Sequence, residues 1–283
     1  MTKRVFCIGN GESRIGYDLH NLWPLGRIYG CNAIYRDFLP DALIAVDHGI
    51  MHEIYNMGLA QQIPCYFRDW TKVPAMTYEN MLLGGVDKLE VEEHLKDVLV
   101  TKERGDSKEY VMHGSNIQGL INIIKKDPNK YREDRKILEK KNINHSTIKV
   151  SWIKQPDYSH SLTDIMKPRD HGWAAGASAG YVAIAIEKPD EVYMIGHDIN
   201  STNNNVNNIY KSTKHYVAKE NAPTPGINWI NQWQTLMEWN PGVKFYKVNR
   251  FNDGRDKVNG PITEWKNLSN LEYIDYSTLD NLA

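Results

Sequence analysis

Gly9-Asn10-Gly11-Glu12-Ser13 directly follows a short apolar run, Val5-Phe6-Cys7-Ile8. Glycines in a strand-to-helix turn let the backbone approach a ligand. The N–H groups that open the next helix then attract phosphate. Gly9, Asn10, Gly11 and Ser13 are therefore the expected nucleotide contacts. Arg14 stands where a dinucleotide fingerprint has its third glycine, and no Gly-Lys-Ser/Thr follows, so neither that fingerprint nor a P-loop is present. Many Gly-x-Gly sequences are only tight turns, and the position after the first strand is what points to a ligand. Three other predicted strands end in polar residues: Cys31-Asn32, Val46-Asp47 and Gly196-His197-Asp198. Asn32 can bond a ribose or base, and Asp198 can hold a ribose hydroxyl or orient the following loop. Each is equally a helix cap or turn former. Their joint placement at strand ends carries more weight than any one residue.

Other residues offer different chemistry. His48 and His52 are four apart and would share a helix face, a metal-binding spacing, but no third ligand stands out. No Asp-x-Asp occurs anywhere in the chain. Such carboxylate pairs typically hold the cation that bridges a diphosphate. The loop from Asn200 to Tyr216 holds Tyr210, Lys211, Lys214 and His215. Its tyrosine hydroxyls and lysines could steady a leaving phosphate, and its histidine could take a proton. The segment also reads as an ordinary polar surface loop.

Alternating elements must position these residues. Val5–Ile8, Arg27–Cys31 and Ala42–Val46 read as strands, and Pro64–Phe67 as a fourth. His48–Met57 and Ala174–Lys188 read as helices. Glu191–Ile195 is a strand, Trp229–Trp239 a helix and Val243–Val248 a last strand, with an irregular polar tail after 250. Runs apolar on both faces suit central parallel strands. The alternation predicts a Rossmann-like, doubly wound parallel α/β sheet. Residues from about 71 to 170 lack clear strand alternation and read as an inserted lid or subdomain of a single domain spanning 1–283. Within them, Lys125–Lys141 holds eight basic and four acidic residues, which reads as a solvated helix face.

The chain has 283 residues and a net charge of −1, so no global field draws it to nucleic acid or an anionic membrane. Cys7, Cys31 and Cys65 match no zinc spacing and read as small buried hydrophobes of a reducing cytoplasm. The N-terminus carries no secretory pattern, and no apolar run is long enough to span a bilayer.

Val5–Ser13 followed by Cys31-Asn32-Ala33-Ile34-Tyr35 resembles the head of the Campylobacter-type sialyltransferases. Ala183–Ile186, Glu191–Met194 and Gly196-His197-Asp198 resemble their later helix and strand. The same outline is similar to a wider group that includes the archaeal hydroxymethylpterin diphosphokinases. The resemblance implies that Gly9, Asn10, Gly11 and Asn32 contact a nucleotide sugar. It places the family's helix-start Thr-Ser-Gly on Ala175-Gly176-Ala177, with Ser178 as a substitute hydroxyl. It puts Asn200 where the family has one tyrosine, assigns Tyr210 to the leaving phosphate, and makes His215 the candidate base. It implies transfer without a metal or a tightly bound cofactor.

Three functions follow. The first is a metal-independent glycosyltransferase using a nucleotide-sugar, with a glycan or a hydroxylated DNA base as acceptor. The second is a Mg²⁺-dependent diphosphokinase acting on a small alcohol such as a pterin, with Asp47 and Asp198 near the phosphates. The third is a non-catalytic binding protein on the same fold.

Overall fold

A computed structural model describes residues 2–47, 50–51, 53–54, 57–68, 71–74, 98–102, 109–113, 147–149, 159–169, 172–201, 203–250 and 260–282. The chain divides into two compact units. The first comprises Met1–Val46, Ile63–Tyr66 and Asp164–Ala283. The second comprises Asp47–Gln62 and Phe67–Thr163, and so begins upstream of the residue-71 boundary expected from sequence. Lys125–Lys141, His48 and His52 lie outside the described residues.

The first unit is built on strands β1 (Arg4–Ile8), β2 (Arg27–Cys31), β3 (Ala42–Ala45) and all but the last residue of β4 (Cys65–Phe67). The second unit holds β5 (Thr71–Pro74), β6 (Val98–Lys102), β7 (Glu109–His113), β8 (Thr147–Lys149) and β9 (Ser159–Ser161). In it β5 pairs antiparallel with β8, and β6 with β7. The first unit resumes with β10 (Glu191–Ile195), β11 (Lys244–Asn249) and β12 (Leu271–Asp275). Its strands follow the order β12-β11-β10-β1-β2-β3-β4. Each pairing from β12 through to β3 is parallel. Counted within this unit the order is 4-3-2-1-5-6-7, the doubly wound, Rossmann-like 3-2-1-4-5-6 pattern with one further strand beyond β3. The order reverses between β1 and β10, and ligands of open α/β sheets bind in the crevice beyond that point.

The sequence dictates this core directly. Val5, Phe6, Cys7 and Ile8 are wholly buried, as a central strand covered on both faces requires. Helix α1 (Ala175–Glu187) packs on β1, β2 and β3. Its buried stripe is mostly alanine, which brings the helix axis close to the sheet. Lys188 ends it in a left-handed conformation and Pro189 follows. Helix α2 (Ile227–Trp239) buries Ile230, Trp233, Leu236 and Met237, one face at helical spacing. Trp233 packs against α1 at Gly180, where an added Cβ would lie 2.7 Å from the indole.

One expectation needs correction. The tail after 250 is not merely irregular, and β11 is not the last strand. Leu271–Asp275 forms β12, parallel to β11, and a short helix α3 (Tyr276–Leu279) follows. Only Ile274 of β12 is buried, so this edge strand lacks the apolar run that betrays a central one. All three cysteines are buried thiols. Burial pushes the Cys31 thiol up to about 12 and Cys7 well above its ordinary value, which leaves both unreactive. Among the described residues no helix is long and apolar enough to cross a membrane.

Candidate functional site

The crevice lies where β1 and β10 end side by side. Gly9 N donates to Ile195 O at 2.7 Å, and Gly11 N donates to Gly196 O at 2.8 Å. These bonds continue the β1–β10 pairing past the strand ends into the turn. At Gly9 any side chain would collide with the Gly196 carbonyl, so glycine is required there for close approach. The half-open crevice has a cavity volume of about 140 Å³ and is lined by Gly9, Asn10, Gly11, Asn32, Gly176, Ala177 and Asp198 among others. Seven residues chosen from sequence therefore meet at one place, at the switch point.

The turn itself does not behave as expected. Its amides were expected to face a phosphate, yet four of the five from Gly9 to Ser13 are bonded within the protein, Asn10 N being the exception. Beyond Gly9 and Gly11, Glu12 N donates to Asn207 Oδ1 at 2.9 Å, and Ser13 N donates to Asp198 Oδ2 at 2.9 Å. Ser13 Oγ also donates to Asp198 Oδ1. Ser13 and Asp198 thus clamp the turn to the end of β10.

Three consecutive amides available for an anion lie across the crevice. No side chain caps α1, whose N-cap residue is Ala174. The first-turn N–H groups of Ala175, Gly176 and Ala177 have no hydrogen-bond partner among the described residues, and all three residues line the crevice. A helix start leaves such donors unsatisfied and carries a partial positive charge. Ala175, Gly176 and Ala177 carry no polar side-chain group, so the backbone itself is the donor set. Ser178 is fully buried and its hydroxyl points back to Trp173 O at 3.5 Å, so it does not supply the substitute hydroxyl.

His197 sits between these two walls; the sequence places it in the Gly196-His197-Asp198 strand end but gives it no role of its own. Its Nε2 lies 3.0 Å from Cys7 O. A carbonyl only accepts, so Nε2 carries the hydrogen and Nδ1 keeps its lone pair. Burial, aided by the positive charge of Lys247 and opposed by the Cys7 bond, pushes its pKa down to about 3. The ring is neutral at pH 7. Trp233 meets it edge-on, with ring centroids 5.0 Å apart and planes at 75°. Trp229, one turn earlier on α2, is partly exposed and completes that wall.

The remaining predicted residues have definite places. Asn10 donates from Nδ2 to Cys31 O at 3.1 Å, while its Oδ1 is buried without a partner. Asn32 takes a left-handed backbone (φ 50°) at the end of β2, and its Oδ1 is likewise buried without a partner. Tyr210 is buried, and its hydroxyl donates to Asp37 and accepts from Arg14 Nη2 at 2.9 Å. Burial holds this hydroxyl well above the usual tyrosine range. Arg14 also donates to Gly9 O at 3.1 Å and pairs with Asp37, so Tyr210 anchors its loop to the turn and does not line the cavity. His215 is exposed on that loop and is not a lining residue. Among the described residues no group of three or more His, Cys, Asp or Glu side chains is placed to hold a metal ion.

Set against known proteins, the chain matches no family model, no curated protein and no solved structure.

Proposed function

We propose that this protein is a glycosyltransferase that takes its sugar from a nucleotide-linked donor, with the donor phosphate held at the start of α1. The observation that carries this reading is the uncapped N-terminus of α1 facing a small cavity at the sheet's switch point. In the reaction the acceptor hydroxyl attacks the anomeric carbon. The bond from that carbon to the phosphate oxygen breaks, and the nucleotide departs with the electron pair. The α1 amides and dipole steady the charge that builds on the leaving phosphate. His215 lies outside the cavity, so it can take the proton only from an acceptor that approaches over the loop bearing it. That acceptor is a hydroxyl of a glycan or of a modified DNA base.

The diphosphokinase reading has less support. It needs carboxylates free to hold Mg²⁺, and Asp198 is already bonded twice by Ser13. A thermal-shift panel of CMP, UDP, GDP, ADP and ATP, each with Mg²⁺ or with EDTA, separates the two. A ligand at a hundred times its Kd adds about 2.7 kcal/mol to stability, several degrees for a chain of this size. A shift with CMP, UDP or GDP that survives EDTA supports the transferase. A shift seen only with ATP and Mg²⁺ supports the diphosphokinase. No shift with any nucleotide removes both.

A further inference from the structure

We infer that the crevice seats a hydroxyl-bearing ring, with one ring hydroxyl donating a hydrogen bond to His197 Nδ1. The inference deepens the nucleotide-linked reading and rests on it for the two sources of such a ring, the ribose of the nucleotide or the transferred sugar. Four observations carry it. The Cys7 carbonyl fixes the tautomer, so Nδ1 presents a lone pair and no hydrogen. That atom has no hydrogen-bond partner among the described residues. Gly9 and Gly176 flank it, and an added Cβ would stand 3.1 Å from Nδ1 at the first and 2.8 Å at the second. Two missing side chains thus leave the approach to this one atom clear. Finally, the half-open crevice, with a cavity volume of about 140 Å³, has room for a ring against this atom.

The chemistry of the walls agrees. Asn10 Oδ1 and Asn32 Oδ1 add two buried acceptors without partners, and buried polar atoms call for partners. Trp229, partly exposed at the crevice, supplies an apolar face for the C–H side of a ring. Nδ1 can only accept while the ring stays neutral, so it receives hydroxyl or amino hydrogens and repels phosphate or carboxylate oxygens. The crevice therefore sorts its ligand. Anionic oxygen goes to the α1 amides, and the ring hydroxyl goes to His197.

The test is the histidine-ring ¹⁵N spectrum of the full-length protein titrated with named probes. These are CMP, UDP, GDP and ADP, their 2′,3′-dideoxy counterparts, UDP-glucose, GDP-mannose and methyl glucoside. The expected result is an upfield move of the His197 Nδ1 resonance on binding, and a roughly tenfold weaker affinity of the active probe for His197→Gln. If ribonucleotides move it and their dideoxy forms do not, the ring is ribose. If only the nucleotide sugars move it, the ring is the transferred sugar. If methyl glucoside moves it while no nucleotide binds, the seat stands and the nucleotide reading falls. If nucleotides bind while Nδ1 stays still with every probe, the inference is overturned and the nucleotide reading survives. If nothing binds, both fall.

Discussion

Lowering the pH from 7 to 5 is expected to weaken the fold by about 2 kcal/mol through His197 alone. In the folded protein its pKa is pushed down to about 3, against about 6.5 in the unfolded chain. Below that unfolded value the unfolded chain binds a proton that the folded protein refuses. Stability therefore falls as pH falls, and the loss through this group stops only near its folded pKa. Within the window the slope is about 1.4 kcal/mol per pH unit. His197 is partly exposed to the crevice, so the figure is an upper bound. The assay is urea unfolding at several pH values between 7 and 5, for wild type and His197→Gln. The other histidines titrate in both proteins and cancel in the comparison. The wild type should lose up to about 2 kcal/mol more than the variant across this range. Parallel losses, or an imidazole that titrates near 6.5 by NMR, would refute the reasoning that burial and Lys247 hold the ring neutral.

Other consequences follow from the same geometry. Asp198→Asn weakens the bonds from Ser13, and urea unfolding should show a loss of about 1.5–3 kcal/mol; a neutral result would mean the clamp does not hold the turn. Tyr210→Phe leaves Arg14 and Asp37 short of a partner and should cost about 1–3 kcal/mol while nucleotide affinity measured by calorimetry stays within twofold. A large affinity loss at unchanged stability would instead place Tyr210 on the ligand. Trp233→Ala empties the space between α1, α2 and His197 and should cost about 3–5 kcal/mol in the same unfolding assay. Trp229→Ala should leave stability nearly intact yet weaken nucleotide or nucleotide-sugar binding by about 1–3 kcal/mol in calorimetry.

The sheet was legible because its central strands are apolar on both faces. Val5–Ile8 and Glu191–Ile195 announce themselves in this way, and the alanine-rich stripe of α1 is equally plain. β12 was hidden because an edge strand with one buried residue looks like polar tail. The lining residues Gly9, Asn10, Gly11, Asn32, Gly176, Ala177 and Asp198 could be chosen from strand ends and from one resemblance. The roles within the site could not. Which amides remain free depends on partners far along the chain, such as Asn207 for Glu12 and Asp198 for Ser13. His197 matters because β10 lies beside β1, which sets its ring against the carbonyl of Cys7, 190 residues earlier. No local pattern encodes that adjacency.

The most direct test of the central claim is a backbone-amide NMR titration with CMP, UDP and GDP. If a phosphate sits at the start of α1, the Ala175, Gly176 and Ala177 amides shift most, and Gly176→Val, which drives a side chain against His197, abolishes the response. Binding that leaves those three amides unmoved would contradict the account.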